Sequence, residues 1–546
     1  LKLAKIGIAQ IEIEAGQVEK NAEKILSFIA KAKDKGVELV VFPELCLSGK
    51  YIGDTFRQKS FLKDCEYFGK KIIAASKDIT IIFGNLVDAE NKNINPSRYF
   101  VAYGGESRLQ GGSDKIFEMT YDDKYRIAFQ LDSEPFRLGE KVERDKFFSA
   151  NAKNASRPLI YVNCVGIQNR GKTIYTFNGA STIYNSRGEI VQQAESFVED
   201  LQIVEIEEID KMSALKIPEV EEIAEIYQAV SFGAEKFLKQ IGMKKVVIGI
   251  SGGIDSAVAA ALYTKILGAE NVYLVNMPSK FNSATTKNLS QQLAENLGCK
   301  YFVVPIQESV DHTVKQLEGI LKIEVGDFVK ENIQARDRSS RILAAVAASI
   351  GGGFTCNANK AETTVGYATL YGDEAGFLCA LADLWKFQIY QLADYLNDEI
   401  YKREVIPQGI IEIVPSAELS TAQNVDEGKG DPLKYPYHDY LFRAFVEKNL
   451  APEDILQFYF DKNLESEIGC AAGLVEKYFP TAKDFVEDLE RWWKLFTGFA
   501  VAKRIQSPPI ISVSRRAFGS EFAESQNIPH FTQGYKDLKL KVLGGN

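Results

Sequence analysis

The sequence predicts an α/β protein of two large domains, the second a doubly wound parallel sheet. Three observations lead there. The chain has 546 residues, too many for one ordinary core, since domains run to roughly 100–250 residues. Strand-like apolar runs alternate with helix-like stretches in two separate regions, at the spacing of right-handed βαβ crossovers. Between those regions lies a charged stretch, EIEEIDKMSALKIPEVEEI, carrying Pro218, the composition of a connector. The expected boundaries are 1–210 for the first domain, 211–222 for the linker and 223–546 for the second.

The elements follow in order. AKIGIAQIE reads as a strand, Val18 to Lys35 as a helix, VELVVFPE as a strand, Phe61 to Lys77 as a helix and DITIIFGNLV as a strand. A strand-rich stretch comes next: SRYFVAYGGE, RIAFQL, LIYVNCVG and a hairpin through GASTIYNSRGEIVQQ that turns at Asn-Ser-Arg-Gly, residues suited to tight turns. The second domain opens with a helix from Ile223 to Gly242, the strand KKVVIGI, the turn SGGIDS and an alanine-rich helix from Ala257 to Leu267. Strand NVYLVNMP, a helix from Ser283 to Leu297 and strand YFVVPI continue the alternation.

Composition narrows the classes. The chain is 45% hydrophobic and 25% charged, as a globular protein is. A net charge of −9 argues against nucleic acid as a partner. Seven Cys without a CxxC pair, and only three His, argue against a disulfide framework or a structural zinc site. No apolar run nears the ~20 residues of a membrane span. LKLAKIGIAQIEIE lacks the layout of a signal peptide, so the cytoplasm is the expected compartment.

Ser251-Gly252-Gly253-Ile254-Asp255-Ser256 is the strongest chemical signal. Two glycines let the backbone approach a phosphate, and a helix N-terminus with two hydroxyls supplies anion contacts. The loop lacks the lysine of a Walker A motif and is not GxGxxG. On placement alone, a Gly-rich turn with Ser251 as N-cap stays open.

SGGIDS resembles the pyrophosphate-binding loop of the N-type ATP pyrophosphatases, which have an adenine nucleotide alpha hydrolase-like fold. ENIQARDRSSRILAA, FTCNANKAETTVGYATLYGDEAGF, LADLWKFQIYQLADYLN and PSAELSTAQNVDEGKGDPLKYPYHDYLF together resemble the NAD synthetases within that superfamily. The resemblance implies ATP-dependent amidation of deamido-NAD (nicotinate adenine dinucleotide) through an adenylate, releasing AMP and pyrophosphate. It implies Mg²⁺ held by Asp255 and Glu362, hard oxygen donors of the kind that ion prefers. Arg336 and Arg338 match nucleotide-binding arginines, though read alone, alternating with Asp337, they make a solvated helix face. Lys386 matches a lysine on phosphate and substrate. Asp373 matches an aspartate near the nicotinate end, with Lys360 and Thr369 lining the same cleft. His438 and Trp385 read as structural.

The first region resembles the nitrilase superfamily, with an αββα fold, and the fused order is that of the glutamine-dependent NAD synthetase family. There a Glu-Lys-Cys triad releases ammonia from glutamine. Glu44 in VFPELCLSG matches the base and Lys115 in SDKIF the lysine. The strand YRIAFQLDSEPF puts Asp132 at the nucleophile position, and a carboxylate cannot form the required thioester. The expectation is therefore ammonia as nitrogen donor in place of glutamine. The alternative is a fully glutamine-dependent enzyme with a displaced nucleophile such as Cys164. The family resemblance further implies a homo-oligomer, an octamer or smaller.

Overall fold

The computed structural model describes residues 5–87, 97–112, 116–121, 125–519, 521–525 and 527–544. The chain divides into two compact units, Leu1–Arg170 with Ile174–Lys236, and Gly171–Thr173 with Phe237–Asn546.

The first unit is built on two facing sheets. A six-stranded sheet runs in the order Asp200–Glu205, Lys5–Gln10, Leu39–Val41, Thr80–Leu86, Ser97–Tyr103, Glu106–Gly112, with the second to fourth strands parallel. A five-stranded sheet runs Ile190–Gln193, Thr182–Tyr184, Leu159–Val162, Tyr125–Leu131, Phe117–Tyr121. Strand side chains alternate between faces, and that period decides the layering. Ile6, Ile8, Leu39, Val41 and Ile82 pack against Ile127, Phe129, Leu131, Ile160, Val162 and Ile183 of the other sheet.

The opposite faces are covered by helices. Val40, Phe42, Ile81 and Phe83 meet Ile25, Phe28 and Ile29 of helix Val18–Asp34, with Cys65 and Ile72 of helix Lys59–Ala74. Ala128, Leu159, Tyr161 and Tyr184 meet Phe148 and Ala152 of helix Glu140–Asn154. The result is the αββα sandwich expected from the sequence. The strand and helix order through Leu86 matches the sequence reading, as does the hairpin turning at Asn185–Gly188. Helix Glu140–Asn154 was not anticipated, because Phe148 and Ala152 are its only buried residues and the apolar stripe is too thin to register.

In the second unit, four parallel strands lie in the order Lys300–Val303, Val272–Asn276, Val246–Gly249, Gly353–Phe354. Helix Ile254–Leu267 has Ile254, Ser256 and every residue from Ala257 to Thr264 buried, which accounts for its alanine-rich sequence without an apolar stripe. The chain builds outward from Val246–Gly249 to one side, then crosses to place Gly353–Phe354 on the other. That reversal is a topological switch point, and the crevice beyond the carboxyl ends of the two strands flanking it is where open α/β sheets bind ligands. Two segments emerge there: Ser251–Ser256 and Thr355–Asn359.

Candidate active site

The phosphate loop depends on its glycine. Gly252 has φ +88°, and a Cβ there would come within 2.4 Å of the Thr286 carbonyl oxygen. Helix Ile254–Leu267 begins after Gly253 without a side-chain cap, so its first N–H groups and their partial positive charge face the crevice. The Ser251 hydroxyl accepts from the Gly253 N–H at 3.2 Å, and the Ser256 hydroxyl donates to the Gly253 carbonyl at 3.0 Å. These bonds brace the loop against the start of the helix.

Carboxylates gather around it through one asparagine. Asn359 caps helix Lys360–Val365, its side-chain oxygen accepting from the Glu362 N–H at 3.1 Å while Glu362 accepts from the Asn359 N–H at 3.3 Å, a reciprocal capping box. The Asn359 amide also donates to Asp255 at 3.0 Å. A single residue therefore fixes both carboxylates. Lys386, at the start of helix Lys386–Tyr395, pairs with Asp255 at 2.5 Å, and the Tyr435 hydroxyl donates to Glu362 at 3.2 Å. Burial, and then the Asp255 charge, push the Glu362 carboxyl up to about 8 against the pull of Lys386. The same two carboxylates hold the Lys386 ammonium well above the ordinary lysine range.

Two cavities share this cluster. One, of about 250 Å³, runs from Gly249 and Asn276 past Arg338, Asn357 and Asp373. The other, of about 160 Å³, is bounded by Gly252, Thr286, Lys386, Tyr390 and Asp431. Ser251, Asp255, Glu362, Asp373 and Ala417 line both. Arg338 reaches its place by donating to the Met277 carbonyl at 3.0 Å and Asn282 at 3.2 Å, and burial lowers its guanidinium to about 10. Asp373 accepts from the Thr369 N–H at 2.8 Å, and burial raises its carboxyl.

Other expected residues lie apart. The Lys360 side chain is fully buried and pairs with Asp383 at 2.8 Å and Glu447 at 3.3 Å, so its charge serves the packing beneath helix Lys360–Val365. Thr369 presents its backbone N–H to Asp373 rather than its side chain to a cavity. Arg336 is exposed and donates to the Leu370 carbonyl at 3.1 Å. His438 bonds Asp488 at 2.9 Å and stacks on Phe442, while the Trp385 indole donates to Glu447 at 2.8 Å, structural roles in both cases. Sequence reasoning missed Asn359, Tyr435, Asp431 and Glu418. The last binds the Ser283 N–H at 3.1 Å and the Thr286 hydroxyl at 2.7 Å. All four sit inside motifs quoted for their pattern, which was the available signal.

A second cluster belongs to the first unit. Glu44 is buried and accepts from the Ser97 hydroxyl at 3.0 Å, and its N–H donates to the Asp132 carbonyl at 3.2 Å. Strand Tyr125–Leu131 thus ends with Asp132 beside Glu44, and Asp132 lines a cavity of about 310 Å³ with Glu134, Arg144, Tyr161 and Asn163. Burial, then Glu134 and Glu44, push the Asp132 carboxyl up to about 8. Lys50 pairs with Glu134. Cys164 is fully buried, 3.4 Å from the Ser133 hydroxyl, and burial holds its thiol at about 12. Cys46 is also buried, donating to the Gly84 carbonyl, with its thiol pushed up by burial. Lys115 lies outside the described residues.

Known proteins resemble the chain in both of its regions. The NAD synthase profile matches residues 226–470 and the carbon-nitrogen hydrolase profile residues 5–106. A glutamine-dependent NAD(+) synthetase of Xylella fastidiosa (strain 9a5c) is 28% identical over 95% of this chain and 97% of its own. The chain is similar to the glutamine-dependent NAD(+) synthetases along nearly its whole length. The family member of that name from Thermotoga maritima is 27% identical over 85% of this chain and 92% of its own. Two solved structures share the fold. The Acinetobacter baumannii glutamine-dependent NAD+ synthetase, in complex with ADP, has a TM-score of 0.68 at 24% identity, covering 96% of this chain and 98% of that one. The Cytophaga hutchinsonii synthetase has a TM-score of 0.78 at 16% identity, covering 99% and 100%. Among the described residues, no helix is long and apolar enough to cross a membrane.

Proposed function

We propose that the chain is a carbon–nitrogen ligase that amidates deamido-NAD: ATP adenylates the nicotinate carboxylate, pyrophosphate leaves, and ammonia displaces AMP. The observation that carries this reading is the cluster of Asp255, Glu362 and Lys386 around an open phosphate loop at the switch point of the sheet. Amides at the helix start bind the phosphates, and Lys386 offsets charge building on the departing pyrophosphate. Arg338 and Asn357 bound the nucleotide cavity, and Asp373 stands where both cavities meet.

The donor set fits Mg²⁺. Asp255 and Glu362 are oxygen donors pressed close enough for one to oppose the other's ionisation, and a divalent cation relieves that repulsion. Two protein carboxylates, with phosphate and water completing the shell, are a common way to hold this ion. When bound it would neutralise charge on the triphosphate. We assign domains to 1–210 and 223–546 joined by 211–222, and a symmetric homo-oligomer, on the family resemblance.

Ammonia is the proposed nitrogen donor. Asp132 occupies the strand end beside Glu44, while Cys164 and Cys46 are buried thiols held far from thiolate formation, and it is the thiolate that attacks. A steady-state assay with deamido-NAD, ATP and Mg²⁺ tests this directly. Ammonium should support NAD⁺ formation and glutamine should not. Efficient glutamine-supported synthesis, abolished by a thiol-directed glutamine analogue that labels Cys164, would overturn the donor assignment and favour the displaced nucleophile.

A further inference from the structure

Apart from both clusters, the first unit carries a cavity of about 700 Å³ between helix Lys59–Ala74 and the outer strands of the six-stranded sheet. Leu62, Ile73, Phe83, Leu86, Phe100 and Leu109 give it an apolar lining, and Leu109, on edge strand Glu106–Gly112, is 61% exposed. Lys59 and Lys63 stand one helical turn apart on its rim. Both are exposed, and neither has an ion-pair partner among the described residues, whereas Lys70 is paired with Glu66 at 2.6 Å. A groove that is apolar inside and positive at the rim suits an extended segment bearing apolar side chains and carboxylates.

The chain itself holds such a segment. Residues 213–222 are all exposed, yet Leu215, Ile217 and Val220 are large and apolar, at 46%, 37% and 49% exposure. Apolar residues exposed singly are ordinary. Three so close together, with Glu219, Glu221 and Glu222 among them, mark a surface that gains from being covered. The segment does not reach the groove of its own copy. The Leu215 N–H donates to the Ile190 carbonyl at 2.7 Å, which ties it to the edge strand Ile190–Gln193 of the five-stranded sheet, and helix Glu222–Gln240 follows. The stretch between is therefore held at both ends. At the opposite edge of that sheet, Phe117 packs against Tyr99 of the strand beside Glu106–Gly112, with ring centroids 5.7 Å apart. Segment and groove thus lie at opposite edges of the sandwich, four strand spacings or ~19 Å apart.

We propose that the groove seats segment 215–222 of a second copy of this chain, with Leu215, Ile217 and Val220 against its apolar lining and the Glu219 and Glu221 carboxylates against Lys59 and Lys63. The proposal rests on the homo-oligomer assigned above and names the surface that builds it. Each copy carries both halves, so the assembly closes when copies trade segments about a symmetry axis. Pairing hides apolar surface that a lone copy leaves in water, while the charges fix direction and register.

Sedimentation velocity on the full chain tests the pairing. The reversed groove, K59E with K63E, and the reversed segment, E219K with E221K, should each weaken self-association about 10-fold or more, since like charges then face each other. Mixing the two variants should restore association, because the glutamates of one variant's groove meet the lysines of the other's segment. All four side chains are exposed, and urea unfolding that matches wild type shows each variant to be folded. Association unchanged in either variant, or weakened in both and not recovered on mixing, overturns the pairing and leaves the homo-oligomer standing. A wild type that stays monomeric at about 100 μM removes the homo-oligomer itself and the proposal with it, and leaves the groove to another occupant, such as an anionic amphiphile.

Discussion

Asp255→Asn separates catalysis from folding at the phosphate loop. Asp255 lies 2.5 Å from the buried Lys386 ammonium, and a unit-charge pair at about 4 Å interacts by ~4 kcal/mol at an effective dielectric of ~20. Breaking a lone buried pair costs about 3–5 kcal/mol because the remaining charge is stranded. Here Lys386 is not stranded. Glu362 also acts on it, and the Asp255 charge is one of the two main forces opposing Glu362 ionisation. Once that charge is removed, Glu362 ionises more readily and takes over the pairing, so the stability loss should stay near 1–2 kcal/mol, well under the lone-pair figure. Turnover has no such substitute, because the remaining carboxylate cannot provide two donors on the triphosphate side. A loss of about 100–1000-fold follows, equivalent to ~2.7–4 kcal/mol of transition-state stabilisation. Pyrophosphate release at saturating ATP and urea unfolding of the same preparation measure the two quantities. Turnover within about 3-fold of wild type would remove Asp255 from the mechanism, and a stability loss of the full lone-pair size would show that Glu362 does not substitute.

Three further outcomes are expected. Chromatography of the nucleotide products should show AMP and pyrophosphate, and ADP with orthophosphate would exclude adenylation. Asn359→Ala should cost ~1 kcal/mol in urea unfolding, as lost caps do, and lower turnover at least 10-fold, because it releases Asp255 and Glu362 together; unaltered turnover would mean the two carboxylates are placed by something else. Asp132→Asn tests the first unit by pH: the folded Asp132 carboxyl sits at about 8 against an ordinary 3.8, so between those values the folded state binds more protons than the unfolded and stability falls as pH rises. The variant should unfold at a higher temperature than wild type near pH 8 and without that advantage near pH 4, and a gain independent of pH would sink the assignment.

How much of this was legible in the sequence depended on distance along the chain. The phosphate loop was readable because its requirement is local: Gly252 must adopt positive φ against the Thr286 carbonyl, and only glycine does so freely. The sandwich was readable because its facing strands keep the period of two. Asn359 was not, since its value lies in touching Asp255, 104 positions away, while its sequence context shows only a helix cap. Lys360 misled for the converse reason. Its motif sits beside the site, yet the fold turns the ammonium toward Asp383 and Glu447. Helix Glu140–Asn154 escaped notice because a helix with two buried residues looks polar throughout.

Both units bury neighbouring carboxylates with a lysine, and they differ in which carboxylate the lysine reaches. In the second unit Lys386 reaches Asp255 directly, and Glu362, its carboxyl pushed up to about 8 as that of Asp132 is, lies alongside the pair. In the first unit, Lys50 is a cation whose field lowers the Asp132 carboxyl, but its ammonium is drawn to Glu134. Asp132 is left to burial and two like charges, and is largely protonated at neutral pH. A neutral acid at the strand end can hold a hydrogen bond but cannot attack an amide carbon. Burial in the same surroundings keeps the Cys164 thiol at about 12, so a thiol placed at the Asp132 position would meet the same penalty unless a cation were freed to stabilise the thiolate. The ammonia donor proposed above carries one more expectation: Asp132→Cys alone should not confer glutamine-supported synthesis in the steady-state assay, and its appearance there would refute the electrostatic argument.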